Sequence, residues 1–494
     1  MAGHPPSSSE HTSEAVYHPI PQAPVASGTP LDLYNEEDRG DLDNNVPSVP
    51  QVQNSRIRWI HFVLGCAVLL PWNVMITATP YFLSRLDGSP FRSSFSSYMS
   101  TTFTIVNFGV LAHATATSKQ SLHAYRVRSS LMVLACLTAL LTVSTWIHVS
   151  PGLFVAFVLI TAVGQAAAGS YLQTAVIAVA SLFGHSAMQA AMSGQAAVGV
   201  AISGVQVLSA AASIHMASYG NAVSVADPAS RAPEERSAAL FFGLSTIFLV
   251  ATQIVHAWMM TLPAYKMVVS RPVPEPSVSM LDSTDETRSL TSGEPLRKNI
   301  SGKDRILRLT RINLPYNFAV AYVFAITLSV FPPITVSIQS TSPITHPLLF
   351  SAIHFLVYNV GDFGGRLLCS LPHLMVWSAK RLLTLSLART LFIPLFLMCN
   401  VQWSHPAPMG PIITSDTLFM LILLLFGISN GYVSSMCMMA APSLAHNPRL
   451  RGRVADVDIA ATVASFCLVG GLTFGSMLSF AVRAAVCTCN PFRE

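Results

Sequence analysis

The chain has 494 residues, of which 51% are hydrophobic and only 10% are charged. Soluble domains carry about 25% charged residues, so the composition excludes an ordinary soluble fold and points to a polytopic helical membrane protein. The net charge of +5 does not indicate nucleic acid, because the basic residues are scattered between apolar segments. The eight cysteines contain no CxxC pair, and six of them lie in apolar stretches. A thiol there behaves as a small hydrophobe, so neither a disulfide framework nor a zinc site is expected.

Residues 1–57 open the chain as a polar, Pro/Ser-rich tail with too little apolar surface to fold, and no cleavable signal peptide is expected. The acidic stretch "DLYNEEDRGDLD" reads as solvated tail or as a sorting signal. Eleven apolar segments follow, at 58–82, 97–117, 128–148, 152–180, 187–213, 238–262, 314–338, 346–371, 381–401, 415–440 and 455–482. Their length and unbroken apolarity predict membrane-spanning helices rather than alternating strands. Between the sixth and seventh lies 263–313, a charged Pro/Ser/Thr-rich stretch read as a structureless linker and a candidate phosphorylation region. It divides the chain into a six-helix half, 58–262, and a five-helix half, 314–486, with a short tail at 487–494.

An odd number of spans puts the termini on opposite faces. With the N-terminus in the cytoplasm, nineteen Lys/Arg residues fall on the cytoplasmic side against six on the other. That asymmetry fixes the orientation, with the C-terminus extracellular or lumenal. The membrane itself, plasma or internal and vacuole-like, is left open. The sequon Asn299-Ile300-Ser301 is then cytosolic and unmodified. Gly194, Gly199 and Gly204 in the fifth segment, and the Gly471/Gly475 pair in the eleventh, have the spacing of small residues at close helix crossings.

The polar residues inside the apolar segments carry the functional signal. "YNVGDFGGRLLC" (358–369) places Asp362 and Arg366 four residues apart within the eighth segment. Each charge there costs about 2.5–3.5 kcal/mol on insertion scales. At that spacing the two share a helical face and can pair, while Gly361, Gly364 and Gly365 leave room for another helix or a ligand. Two readings stand: an ion pair joining helices, or an acceptor and donor lining a polar cavity.

The first segment contains "LLPWNVMITATPYF" (69–82). Pro71 removes a backbone hydrogen bond and is expected to break the helix at membrane depth. Trp72 offers a flat face for a ring, and Asn73 a donor and an acceptor. In the fourth segment the Gln173 amide matches either a nucleobase edge or a neighbouring helix. Arg389, nine residues into the ninth segment, reads as structural: it either snorkels or pairs with a carboxylate. No phosphate-binding loop, HExxH, GxSxG or dinucleotide fingerprint occurs, so neither enzymatic activity nor a cofactor is expected.

Several of these stretches, in order, resemble the equilibrative nucleoside transporter family. They are "LLPWNVMITATPYF", "MSGQAAVG" (192–199), "DFGGR" (362–366), "ARTLFIPLFLMCN" (388–400), "NGYVSSMCMMAAP" (430–442) and "FGSMLSFAVRAAV" (474–486). The resemblance runs from about 58 to 486. It implies a major-facilitator-like, six-plus-five arrangement of eleven helices around a central nucleoside site, worked by alternating access. It assigns Trp72 and Ile76 to the cavity wall, Gln173 to the base, Asp362 and Arg366 to the ribose, and Leu472 to the eleventh segment's share of the cavity. Arg128 is the counterpart of a gating arginine at the start of the third segment. The implied substrate is a nucleoside, and a nucleobase is also open. The implied partner is the lipid bilayer and the implied state a monomer. Against facilitative transport stand a proton-coupled carrier with Asp362 titrating, a sugar or drug facilitator on the same scaffold, and a membrane receptor or scaffold.

Overall fold

The computed structural model describes residues 55–92, 94–218, 233–269, 302–342, 345–402 and 411–487. The expected N-terminal tail up to residue 54, the body of the linker at 270–301 with its sequon, and the last seven residues lie outside the described residues. Regular structure among the described residues is helical, apart from an isolated bridge between Ile338 and Val401.

The first half comprises α1 (Ser55–Thr77), α2 (Thr79–Arg85), α3 (Phe95–Ala116), α4 (His123–Ser144), α5 (Pro151–Leu182), α6 (His185–Ser218), α7 (Pro233–Thr261) and α8 (Pro263–Val269). The second comprises α9 (Gly302–Ile312), α10 (Leu314–Val330), α11 (Pro347–Leu368), α12 (Ala379–Ala388), α13 (Phe392–Leu397), α14 (Asp416–Ala440) and α15 (Val457–Cys487). Each of the eleven expected segments thus contains helix. Eight helices are long and apolar enough to cross a membrane among the described residues. α3, α11 and the α12–α13 stretch fall outside that set. The first is rich in Ser and Thr, the second carries the charged pair, and the third is interrupted.

Three local expectations are corrected. Pro71 does not break its helix: α1 continues to Thr77 and the interruption falls at Ala78. The lost N–H is one bond in a helix buried against α6, and Asn73 Nδ2 donates to the nearby Leu69 carbonyl at 2.9 Å. The ninth segment is not one helix. A 3₁₀ turn at Arg389–Leu391 separates α12 from α13, because Pro394 has no N–H to offer the Thr390 carbonyl. The linker is not wholly structureless, since α8 and α9 are helical within the expected 263–313 stretch. In α9, Ile306, Leu309 and Ile312 recur at helical spacing within "GKDRILRLTRI", a period hidden by the polar context.

The packing is built on close crossings. α1 lies on α6, α10 on α15 and α11 on α14. The two halves meet chiefly through α6 against α11 and α5 against α15. Gly471 and Gly475 do mark such a crossing: a Cβ added at either would lie 2.1 or 2.6 Å from a carbonyl oxygen of α10. A Cβ added at Gly204, by contrast, would meet nothing within 4 Å beyond its own helix backbone.

Candidate functional site

The buried charges form one network. Asp362 and Arg366 share a face of α11, and Arg366 Nε donates to Asp362 Oδ2 at 3.0 Å. They are only 7% and 4% exposed, respectively. The second carboxylate oxygen, Oδ1, accepts from Asn430 Nδ2 of α14 at 2.6 Å. Asn430 Oδ1 in turn accepts from Thr327 Oγ1 of α10 at 2.8 Å. Thr327 also accepts from Arg389 Nη2 at 2.8 Å. Arg389, 1% exposed, donates Nη1 to the Phe426 carbonyl and the Ser429 hydroxyl, and its guanidinium lies 4.5 Å from the Phe426 ring centroid.

On its other side the network crosses to the first half. Arg366 Nη1 donates to the Met192 carbonyl of α6 at 2.9 Å, and Gln189 Nε2 donates to the Arg366 carbonyl at 3.0 Å. Of the two readings open for the charged pair, the ion pair between packed helices is the one this structure displays. Both carboxylate oxygens and two guanidinium nitrogens are already engaged by protein groups.

Arg389 neither snorkels nor meets a carboxylate: among the described residues its partners are a carbonyl, two hydroxyls and a ring. A buried cation can be held this way when enough neutral acceptors converge on it. Asn430 is the junction between both arginines. Replacing it with leucine leaves Asp362 Oδ1 without this donor, while the Thr327 hydroxyl keeps the Val323 carbonyl as acceptor at 2.7 Å. We expect a loss of about 1–3 kcal/mol for the polar group left unsatisfied, read as a lower melting temperature of the detergent-purified protein.

The remaining expected site residues are placed elsewhere. Trp72 stacks on Phe103 of α3, with centroids 4.0 Å apart. Asn73 is turned to its own helix backbone, and Ile76 is 43% exposed. Gln173 Nε2 donates to Ser465 Oγ of α15 at 3.0 Å, so α5 and α15, one from each half, are joined by a polar contact. Leu472 is half-buried against the core. None of the hydrogen bonds or ring contacts among the described residues links this aromatic and amide group to the Asp362–Arg366 network.

Arg128 is exposed, whereas Arg126 is buried and engaged. Arg126 donates to the Ala114 carbonyl at 2.9 Å, the Thr117 carbonyl at 2.7 Å and the Thr117 hydroxyl at 2.9 Å. It also faces the Tyr171 ring at 5.3 Å. Two residues along a helix is about 200°, so the pair cannot share a face. Sequence reasoning also missed Asn430, although it opens the quoted "NGYVSS" stretch, and it missed Thr327 and Gln189, which carry no local signal.

Two cavities flank these contacts. One of about 810 Å³ lies among the ends of α1 and α6 and the starts of α7 and α11, with Thr77, Gln206, Ser213, Ser237 and Leu348 on its walls. The other, about 310 Å³, lies where the start of α1 meets α6 and the end of α11, and Gln189 and Ser193 line it. Neither is lined by Asp362 or Arg366. No group of His, Cys, Asp or Glu able to hold a metal occurs among the described residues.

Long apolar helices around a charged, hydrogen-bonded interior define an integral, multi-pass membrane protein. A family model described as "Nucleoside transporter" matches residues 158–484, and the chain belongs to that family. It is 28% identical to rat equilibrative nucleoside transporter 1, over 88% of this chain and 99% of that one. It is 28% identical to mouse equilibrative nucleoside transporter 2, over 86% and 96%, and 27% identical to equilibrative nucleotide transporter 1 of Arabidopsis thaliana, over 85% and 84%. Among solved structures it is similar to FucP, a major facilitator superfamily transporter in the outward conformation. That match has 14% identity and a TM-score of 0.48, and covers 88% of this chain and 98% of that one. The resemblance read from the ordered motifs is therefore correct at the level of the family, and the chain is a carrier rather than an enzyme.

Proposed function

We propose that the protein moves nucleosides down their gradient by alternating access, as a single chain of eleven spans in a six-plus-five, major-facilitator-like arrangement. In this reading the N-terminus is cytoplasmic and the C-terminus lies across the membrane. The observation that carries it is the family match over residues 158–484. The chemistry agrees. A nucleoside joins a flat, apolar-faced base to a hydroxyl-rich sugar. Trp72, Ile76 and Leu472 offer apolar wall, the Gln173 amide can address a base edge, and Asp362 beside Arg366 can accept from and donate to ribose hydroxyls.

In this structure the Arg366 guanidinium is bonded to the Met192 carbonyl, across the contact between the halves. On our reading, ribose oxygens take the place of that carbonyl when α6 and α11 separate. The charged pair then serves closure when the site is empty and recognition when it is full. Because the two charges neutralise each other, the empty site stays tolerable in lipid.

The test is uptake of radiolabelled uridine and adenosine into proteoliposomes, with and without a pH gradient and with glucose as competitor. Uptake saturable by nucleosides, indifferent to glucose and unaltered by the pH gradient is expected. Dominant competition by glucose would reassign the substrate class. Uptake driven by the pH gradient would replace facilitation with proton coupling. Nucleoside binding without movement would make the protein a receptor.

A further inference from the structure

Helix α9 has two unlike faces. On one, Leu309 is 1% exposed and packs with Leu450 and Ala460. Beside it Arg305 Nε and Arg308 Nη2 clasp the two oxygens of Asp456, each at 2.7 Å. This face fastens α9 to the segment that leads into α15. The other face carries Lys303, Leu307 and Arg311 at intervals of four residues, which stacks them along one stripe. Beyond the turn at Asn313, α10 exposes Leu314 and Phe318. Leu307, Leu314 and Phe318 are 50%, 58% and 49% exposed. Lys303 and Arg311 are exposed, and among the described residues neither has an ion-pair or hydrogen-bond partner. The single acid of the helix, Asp304, lies about 100° round from Lys303.

We propose that α9 lies in the headgroup layer and that Lys303 and Arg311 bind anionic phospholipid, with Leu307 seated among the acyl chains between them. Two observations select the membrane over a soluble anion. One turn at Asn313 joins α9 directly to α10, a membrane helix whose exposed face is apolar, so the level of α9 is the membrane boundary. Lys303 and Arg311 also stand about 12 Å apart along the helix axis. That is too far for one phosphate to bridge, and it fits neighbouring headgroups in a leaflet. Basic residues directly beside a membrane span, on a helix with an apolar stripe, are the pattern of anionic-surface binding. The inference needs only that the chain is embedded in a membrane; it is independent of what the chain transports.

The test uses the full-length purified chain and counts retained phosphatidylserine and phosphatidylcholine by native mass spectrometry. Lys303→Gln/Arg311→Gln should weaken phosphatidylserine binding by about 30-fold, the combined effect of two basic residues at an anionic surface. It should leave phosphatidylcholine retention and the monodisperse elution profile unchanged. Lys303→Arg/Arg311→Lys, which keeps both charges, should bind as the wild type does. Lys380→Gln/Arg381→Gln, exposed basic residues of another inter-helix segment, should keep the lipid preference. Retained preference in Lys303→Gln/Arg311→Gln, or equal loss in Lys380→Gln/Arg381→Gln, would overturn the proposal. Competition by soluble glycerophosphoserine at lipid-like affinity would also overturn it, in favour of a free-anion site.

Discussion

Arg366→Ala should abolish nucleoside uptake and destabilise the purified carrier by about 3–5 kcal/mol, the cost of breaking a buried ion pair by removing one partner. The substitution leaves the Asp362 carboxylate in a site 7% exposed, with Asn430 still donating to it but no guanidinium alongside. It also removes the Met192 contact that joins the halves. Asp362→Ala should be at least as damaging, because Arg366 is then a buried cation without a carboxylate, in the same network as Arg389, which has no carboxylate partner of its own among the described residues. The double replacement should be more stable than the sum of the two singles, since neither charge of the pair is stranded. Thermal unfolding of all four proteins, with uptake measured in parallel, gives the coupling directly. Strict additivity would mean that the pair is not an energetic unit and that the network drawn around it is wrong.

The second large effect distinguishes two adjacent glycines. Gly365→Ala would place its Cβ 2.1 Å from the Ile428 carbonyl oxygen of α14, while Gly364→Ala meets nothing within 4 Å. Gly365→Ala must push α11 from α14 and stretch the Asp362–Asn430 bond. Overpacking of this kind costs about 1–3 kcal/mol and occasionally more. Gly364→Ala should instead be neutral or stabilising by up to about 1 kcal/mol, because alanine is the better helix residue. Melting temperatures of the two variants, with yield of monodisperse protein as a second readout, settle the comparison. Equal effects would show that the α11–α14 crossing is looser than described. Gly431 sets the same limit from the other helix, where an added Cβ would lie 1.9 Å from the Asp362 carbonyl oxygen.

These glycines show how far the sequence could be read. Gly361, Gly364 and Gly365 are equally suggestive as letters, yet Gly361 and Gly365 face α14 and Gly364 does not. The same holds for the two arginines of α4. Arg126 is buried under three hydrogen bonds and Arg128 is exposed, and the chain offers no local reason to prefer either. The α12–α13 interruption was partly legible, since Pro394 was visible. What could not be read was that Arg389 would find its acceptors at the Phe426 carbonyl, Ser429 and Thr327 rather than on an acid. Helix α9 was overlooked because eleven amphipathic residues follow a polar linker, and only docking on Asp456 and Leu450 reveals which face is inner.

By itself the sequence determined that this is a membrane protein of long apolar helices, that Asp362 and Arg366 share a helical face, and which family the chain joins. Those features are local or cumulative: composition sets the solvent, and a four-residue spacing sets a common face. Only the tertiary structure decided that the pair is sealed between α6, α11 and α14, and that Asn430, 68 residues away, holds the second carboxylate oxygen. The physical reason is that a buried charge demands partners but does not name them. Helix crossings bring distant carbonyls, amides and hydroxyls within 3 Å, and no periodicity in the chain encodes which of them will arrive.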